Sequence, residues 1–150
     1  MATFRTLAPE PPPVQPGTYL VRVIAAKDRV SSNNNDMIVM RLALPDGSEL
    51  PCTITFTESA RKLINAFCAS AELVIPDSPD IEIELTATQI LHRWLYVTVG
   101  IDPHDDDALP RVVRFLTRSQ AILRNPALEQ TVVNQVPIRL PGKRTGGQTC

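Results

Sequence analysis

The residues of this chain that could do chemistry are cations and flat rings, and the chemistry they suit is binding rather than bond-breaking. Arg22, Lys27, Arg29, Arg41, Arg93, Arg111 and Arg114 lie on or beside segments that alternate like strands, with Tyr19, Trp94 and Tyr96 among them. A surface that follows single-stranded nucleic acid needs cations along the backbone and aromatic faces for the bases, each stacked base contributing about 1–3 kcal/mol. Trp94 and Tyr96 are two residues apart, so on a strand they share a face. If that face is open, the pair forms a stacking platform. With aromatics at 5% of the chain, the same rings could equally fill a core. For each cation the plain alternative is a solvated strand face.

Signatures of enzymes are missing. The chain has no GxxxxGK(S/T), no GxGxxG after a strand, no HExxH and no GxSxG. His92 and His104 are isolated. Asp105, Asp106 and Asp107 follow His104, but consecutive residues of an extended loop point to opposite sides, and the spacing of a calcium loop is absent. Cys52 and Cys68 sit on apolar segments and read as core thiols. The expectation is a non-catalytic protein without metal or cofactor.

Charge is divided along the chain. The formal net charge is -1, yet from Arg111 onward seven basic residues, Arg111, Arg114, Arg118, Arg124, Arg139, Lys143 and Arg144, are opposed by Glu129 alone. Such a segment suits a nucleic acid, an acidic protein, or simply solubility. Three cysteines without a CxxC, and an N-terminus "MATFRTLAPEPPP" without an apolar core, lead to the expectation of a reducing cytoplasm. No apolar run approaches the ~20 residues of a membrane span.

The elements that must position these residues follow from periodicity. "TYLVRVIAAKDRV", "MIVMRLAL", "ELPCTITF", "WLYVTVGI" and "RVVRFL" alternate as strands. Asparagines in "SSNNND" and the "PDGS" tetrapeptide mark the first two turns. "TESARKLINAFCASAEL" places Ala60, Leu63, Ile64, Phe67 and Ala71 at helical spacing, with Thr57 as its N-cap. "IEIELTATQILHR" reads both as a strand and as a helical turn opened by the Thr86–Gln89 capping box. The resulting class is mainly β, an OB-fold-like five-stranded small barrel with one inserted α-helix and extended tails. An SH3-like barrel and an open α+β sheet are the alternatives. The expected divisions are a proline-rich tail over 1–16, a barrel over 17–118, and a basic tail over 119–150 with a short helix near 119–128.

Four stretches, "PGTYLVRV", "SSNNNDMIVMRLAL", "FTESARKLINAFCASAEL" and "RWLYVTV", together resemble a phage and prophage domain family of unknown function. That family's pattern runs PxGxYxVxV, then a TSxxGNxM loop, a helix ending lxxFxxAxGL, and GKxxxVxV. The resemblance spans about Pro16 to Leu116. Asn34 or Asn35 stands at the loop glycine, and His92-Arg93 stands at Gly-Lys. Members look like OB-fold single-stranded DNA-binding proteins of recombination and replication modules. The resemblance therefore implies single-stranded DNA as partner, alongside phage recombination or replication proteins. A protein-interaction or assembly module, homo-oligomeric or not, is the alternative that the near-neutral charge allows.

Overall fold

The computed structural model describes residues 14–76, 81–101, 104, 109–131 and 133–144. The expected proline-rich start, but for its last three residues, the acidic loop around His104, and the final six residues lie outside them. The first strand, β1 (Gly17–Val30), pairs on one side with β2 (Asp36–Ala43) and on the other with β6 (Trp94–Gly100). β3 (Glu49–Thr55) extends the sheet beyond β2, and β7 (Arg111–Leu116) extends it beyond β6. The order is β3-β2-β1-β6-β7, antiparallel throughout. The two edge strands, β3 and β7, come into contact without a hydrogen-bonded ladder. The molecule is thus mainly β, a curled half-barrel with an OB-like layout.

Between β3 and β6 the chain makes a 3₁₀ turn (Glu58–Ala60), the helix α1 (Arg61–Ser70), the short strands β4 (Leu73–Val74) and β5 (Ile81–Ile83), and the helical turn α2 (Ala87–Ile90). The expected helix starts later than Thr57. Thr57 precedes the 3₁₀ turn and makes no side-chain cap bond. The expected apolar stripe faces the core at Ile64, Phe67 and Ala71 and departs at Leu63, which is 39% exposed, while Cys68 and Ser70 are buried beside it. Phe67 plugs the barrel and meets Phe115 edge to face at 5.2 Å. The ambiguous stretch before β6 is both things in succession, a strand and then a helical turn, and the Thr86 N–H donates to Gln89 Oε1 at 2.8 Å.

The first two turns form as their residues dictate. Asn34 takes φ 62, and the Asn34 N–H donates to the Ser31 carbonyl. Gly47, at φ 89, occupies the left-handed position of the second turn. His92 also sits at φ 70, where the chain enters β6. Asn34 and His92 are thus left-handed positions that glycine would fill more easily.

The expected C-terminal tail is not a tail through residue 144. The helix α3 (Arg118–Arg124) begins at a reciprocal cap: the Thr117 N–H donates to Gln120 Oε1, and the Gln120 N–H donates to Thr117 Oγ1. A 3₁₀ turn (Pro126–Gln130) follows, and Asn125 Nδ2 donates to the Thr18 carbonyl on β1. Then β8 (Ile138–Arg139) pairs in parallel with β4, and β9 (Gly142–Arg144) pairs with β5. Apolar burial is the reason for this return. Leu140 is 1% exposed in the main core, and Leu128 lies in a second cluster with Leu20, Tyr96, Leu116 and Ala121. Val14, at the other end of the described chain, is also buried in the main core. Replacing Leu140 by alanine is expected to cost about 2–4 kcal/mol in urea unfolding, as for a core leucine. A tail residue would change stability by less than about 0.5 kcal/mol.

Candidate nucleic-acid interface

The geometry of β1 decides which cations meet. Its pairing with β2 runs Arg22 to Ala43 and Val23 to Leu42, then resumes at Ala25 to Arg41, leaving Ile24 as the extra residue of a bulge. Beyond the bulge Lys27 faces Val39 and Arg29 faces Met37. Directly opposed residues of an antiparallel pair share a face. Arg22, Lys27, Arg29 and Arg41 therefore stand on one face, the outer one, opposite Val21, Val23, Ile38 and Met40 in the core.

That outer face continues across neighbouring strands. One row runs Trp94, Arg22, Ala43 and Glu49. The next is Ala25, Arg41 and Pro51; then Lys27, Val39 and Thr53; then Arg29, Met37 and Thr55. All four cations are exposed, and half-buried Met37 and Val39 provide an apolar floor between them. Glu49 is the one acid in these rows. It pairs with Arg41 at 3.3 Å, a half-exposed contact worth under about 1 kcal/mol. The Arg22 guanidinium lies 5.6 Å from the centre of the Trp94 ring, a cation–π contact, and its Nε donates to the His92 carbonyl. The loop from Ser31 to Asn35 stands beside Arg29, with Asn33 and Asn34 exposed.

Other expected site residues are elsewhere. Tyr96 shares the outer face with Trp94, but it is buried under α3 and the following 3₁₀ turn, against Leu20, Leu116 and Leu128. Its backbone N–H donates to Ser70 Oγ, and the Ser70 hydroxyl donates to its carbonyl. At 7% exposure the ring presents no open face for a base to stack on. Tyr19 is on the inner side, packed against the main core, and its hydroxyl donates to the Gln15 carbonyl at 2.7 Å. Arg111 and Arg114 are exposed on β7, at the other end of the sheet from the four clustered cations.

Arg93 is a structural cation rather than a surface one. It is 8% exposed. Its Nε and Nη2 donate to the Ala71 carbonyl, Nη2 reaches the Glu72 carbonyl as well, and Nη1 donates to the Val136 carbonyl at 2.7 Å. Burial lowers its pKa from the ordinary value, and the Glu72 carboxylate pulls the other way. The side chain ties the end of α1 to the start of β6 and to the returning C-terminal segment.

Cys52 and Cys68 lie against the core, and burial pushes both thiols up to about 11. Among the described residues no group of three or more His, Cys, Asp and Glu is placed to hold a metal ion. No helix among them is long and apolar enough to cross a membrane.

Parts of this site carried no signal in a residue-by-residue reading. Met37 and Val39 become its floor only through the β1-β2 register. The Arg41–Glu49 pair is a cross-strand neighbourhood eight residues apart, legible only once the hairpin is assumed. No protein-family model matches the chain, and no curated protein is significantly similar to it.

Two outcomes follow. Arg93→Ala removes the donor of the Val136 carbonyl and leaves the Ala71 and Glu72 carbonyls to Gln135 Nε2 and the Ile138 N–H, and is expected to cost about 1–3 kcal/mol in urea unfolding. Arg93→Lys, which lacks the planar fork, should recover only part of that. Alanine at Lys27 or Arg29 should stay within about 0.5 kcal/mol of the parent. In a Cys150→Ser background, Cys52 and Cys68 should alkylate at pH 8 roughly a hundredfold more slowly than an ordinary thiol of pKa ~8.5, because the thiolate is the nucleophile. The rate should rise with pH toward 11.

Proposed function

We propose that this protein binds single-stranded DNA without catalysis and with little sequence preference, as a component of phage-type replication or recombination. The observation that carries the reading is the outer face of β1, β2 and β3. It presents Arg22, Lys27, Arg29 and Arg41 with Trp94 at its margin, and a single acid at one corner. In OB-folds the face of the second and third strands and the loop joining the first two are where oligonucleotides bind. The four cations would follow phosphates, and the apolar stretch of Met37 and Val39 would take the flat faces of bases. Trp94 is half-buried and already covered by the Arg22 guanidinium. A base would therefore stack on the pair or displace the guanidinium from the ring. The resemblance to phage and prophage OB-like domains supports the biological setting, and with it a bacterial host cytoplasm.

Polarisation of a labelled oligo-dT, titrated across salt, tests this. Four neutralised phosphates give a slope of log K against log salt of about −3 for a single strand. Lys27→Ala with Arg29→Ala should reduce the slope by about 1.4. Duplex of the same length should bind more weakly. Absence of binding at low salt, or a double variant with unchanged slope, overturns the reading.

A further inference from the structure

At the β7 edge of the sheet, on the other side of α3 from the basic face, lies an open cleft of about 690 Å3 between α1, β7 and α3. Its walls are aliphatic: Ala66 and Ala69 on α1, Leu116 on β7, and Leu123 on α3. Leu123 is 85% exposed, a large apolar side chain at the mouth of a cleft rather than alone on a surface. Arg114 and Arg124 line the same cleft. Among the described residues neither guanidinium has a hydrogen-bond or ion-pair partner, and no acid is among the described lining residues. An apolar recess with two unpaired guanidiniums complements a ligand that joins an apolar group to carboxylates.

We propose that this cleft docks a short acidic segment of a partner protein, one aliphatic or aromatic side chain entering between Ala66, Ala69 and Leu123 while adjacent carboxylates meet Arg114 and Arg124. The inference stands apart from the nucleic-acid reading. A nucleic acid suits the cleft less well, because a single strand follows a run of cations beside stacking faces, and the cleft offers two cations and no open ring. Phe115, the one ring in the lining, is 4% exposed and turned edge to face against Phe67. The alanines matter because a longer side chain at either position would fill the recess. Since α3 stands between the cleft and the basic face, both surfaces can be occupied together.

The test uses the full chain and a short labelled peptide in which one leucine is flanked on each side by two aspartates. Polarisation at low salt should show saturable binding. Affinity should fall at least about tenfold in Arg114→Glu with Arg124→Glu, and comparably in Ala69→Leu, which keeps both charges and obstructs the recess. A peptide with lysines in place of the aspartates should not bind. Ala69 is exposed on a helix, so its leucine variant keeps the fold and carries the test even if the charge-reversed protein does not fold. No saturable binding of the aspartate peptide overturns the proposal, as does an affinity unchanged in Ala69→Leu. Oligo-dT binding that falls as far in the Arg114→Glu, Arg124→Glu protein as in Lys27→Ala, Arg29→Ala would assign the cleft to a nucleic-acid path instead.

Discussion

One extra residue in β1 governs both the core and the outer surface. β1 is the central strand, paired with β2 on one edge and β6 on the other, so its parity is imposed on the whole sheet. Before Ile24 its odd-numbered residues, Val21 and Val23, face the core; after the bulge the inward position passes to Ala26. Strict alternation would instead have driven Lys27 and Arg29 inward, where unpaired charge is costly. The bulge also adds twist and bend, which lets a single 14-residue strand belong to a curled sheet. Val23, at the bulge, accepts from the His92 N–H and donates to the Arg93 carbonyl. The left-handed His92 turn is thereby held against β1 where the strand bends.

A second constraint is the anchoring of the C-terminal segment. Gln135 acts as a substitute strand neighbour for Trp94: its Oε1 accepts from the Trp94 N–H, and its Nε2 donates to the Trp94 carbonyl. Beside it Arg93 satisfies carbonyls of α1's end and of Val136. These bonds hold Trp94 at the margin of the sheet, between the returning chain and Arg22. They also explain why the adjacent cation is withdrawn from the surface while Arg22 stays on it.

The outer face of the sheet is one surface with two fates. Over β1, β6 and β7 it is apolar, with Leu20, Tyr96 and Leu116 in a line, and α3 covers it with Ala121 while the next turn adds Leu128. Over β1, β2 and β3 it carries four exposed cations, and no described element lies across it. Burial of the first half is what leaves the second half as the candidate binding surface.

Periodicity and turn chemistry are local properties, and they made much of the fold legible. The five sheet strands, the Asn34 and Gly47 turns, the Thr86–Gln89 cap and the inserted helix could all be read from neighbouring residue types. The cations of the site could be read as well, because Arg22, Lys27, Arg29 and Arg41 sit on alternating segments. Their common face could not, since a one-residue bulge reverses parity without any distinctive residue at Ile24. Nor could alternation tell Trp94 from Tyr96, which share a face and differ only in whether α3 and the turn after it lie on top. Arg93 looked like the surface cations because a guanidinium's partners here are backbone carbonyls, which any sequence supplies. The apparent tail joined the core for the same kind of reason. Leu140 and Leu128 are buried by contacts far away in sequence, and no local pattern around "VPIRLPGK" records them.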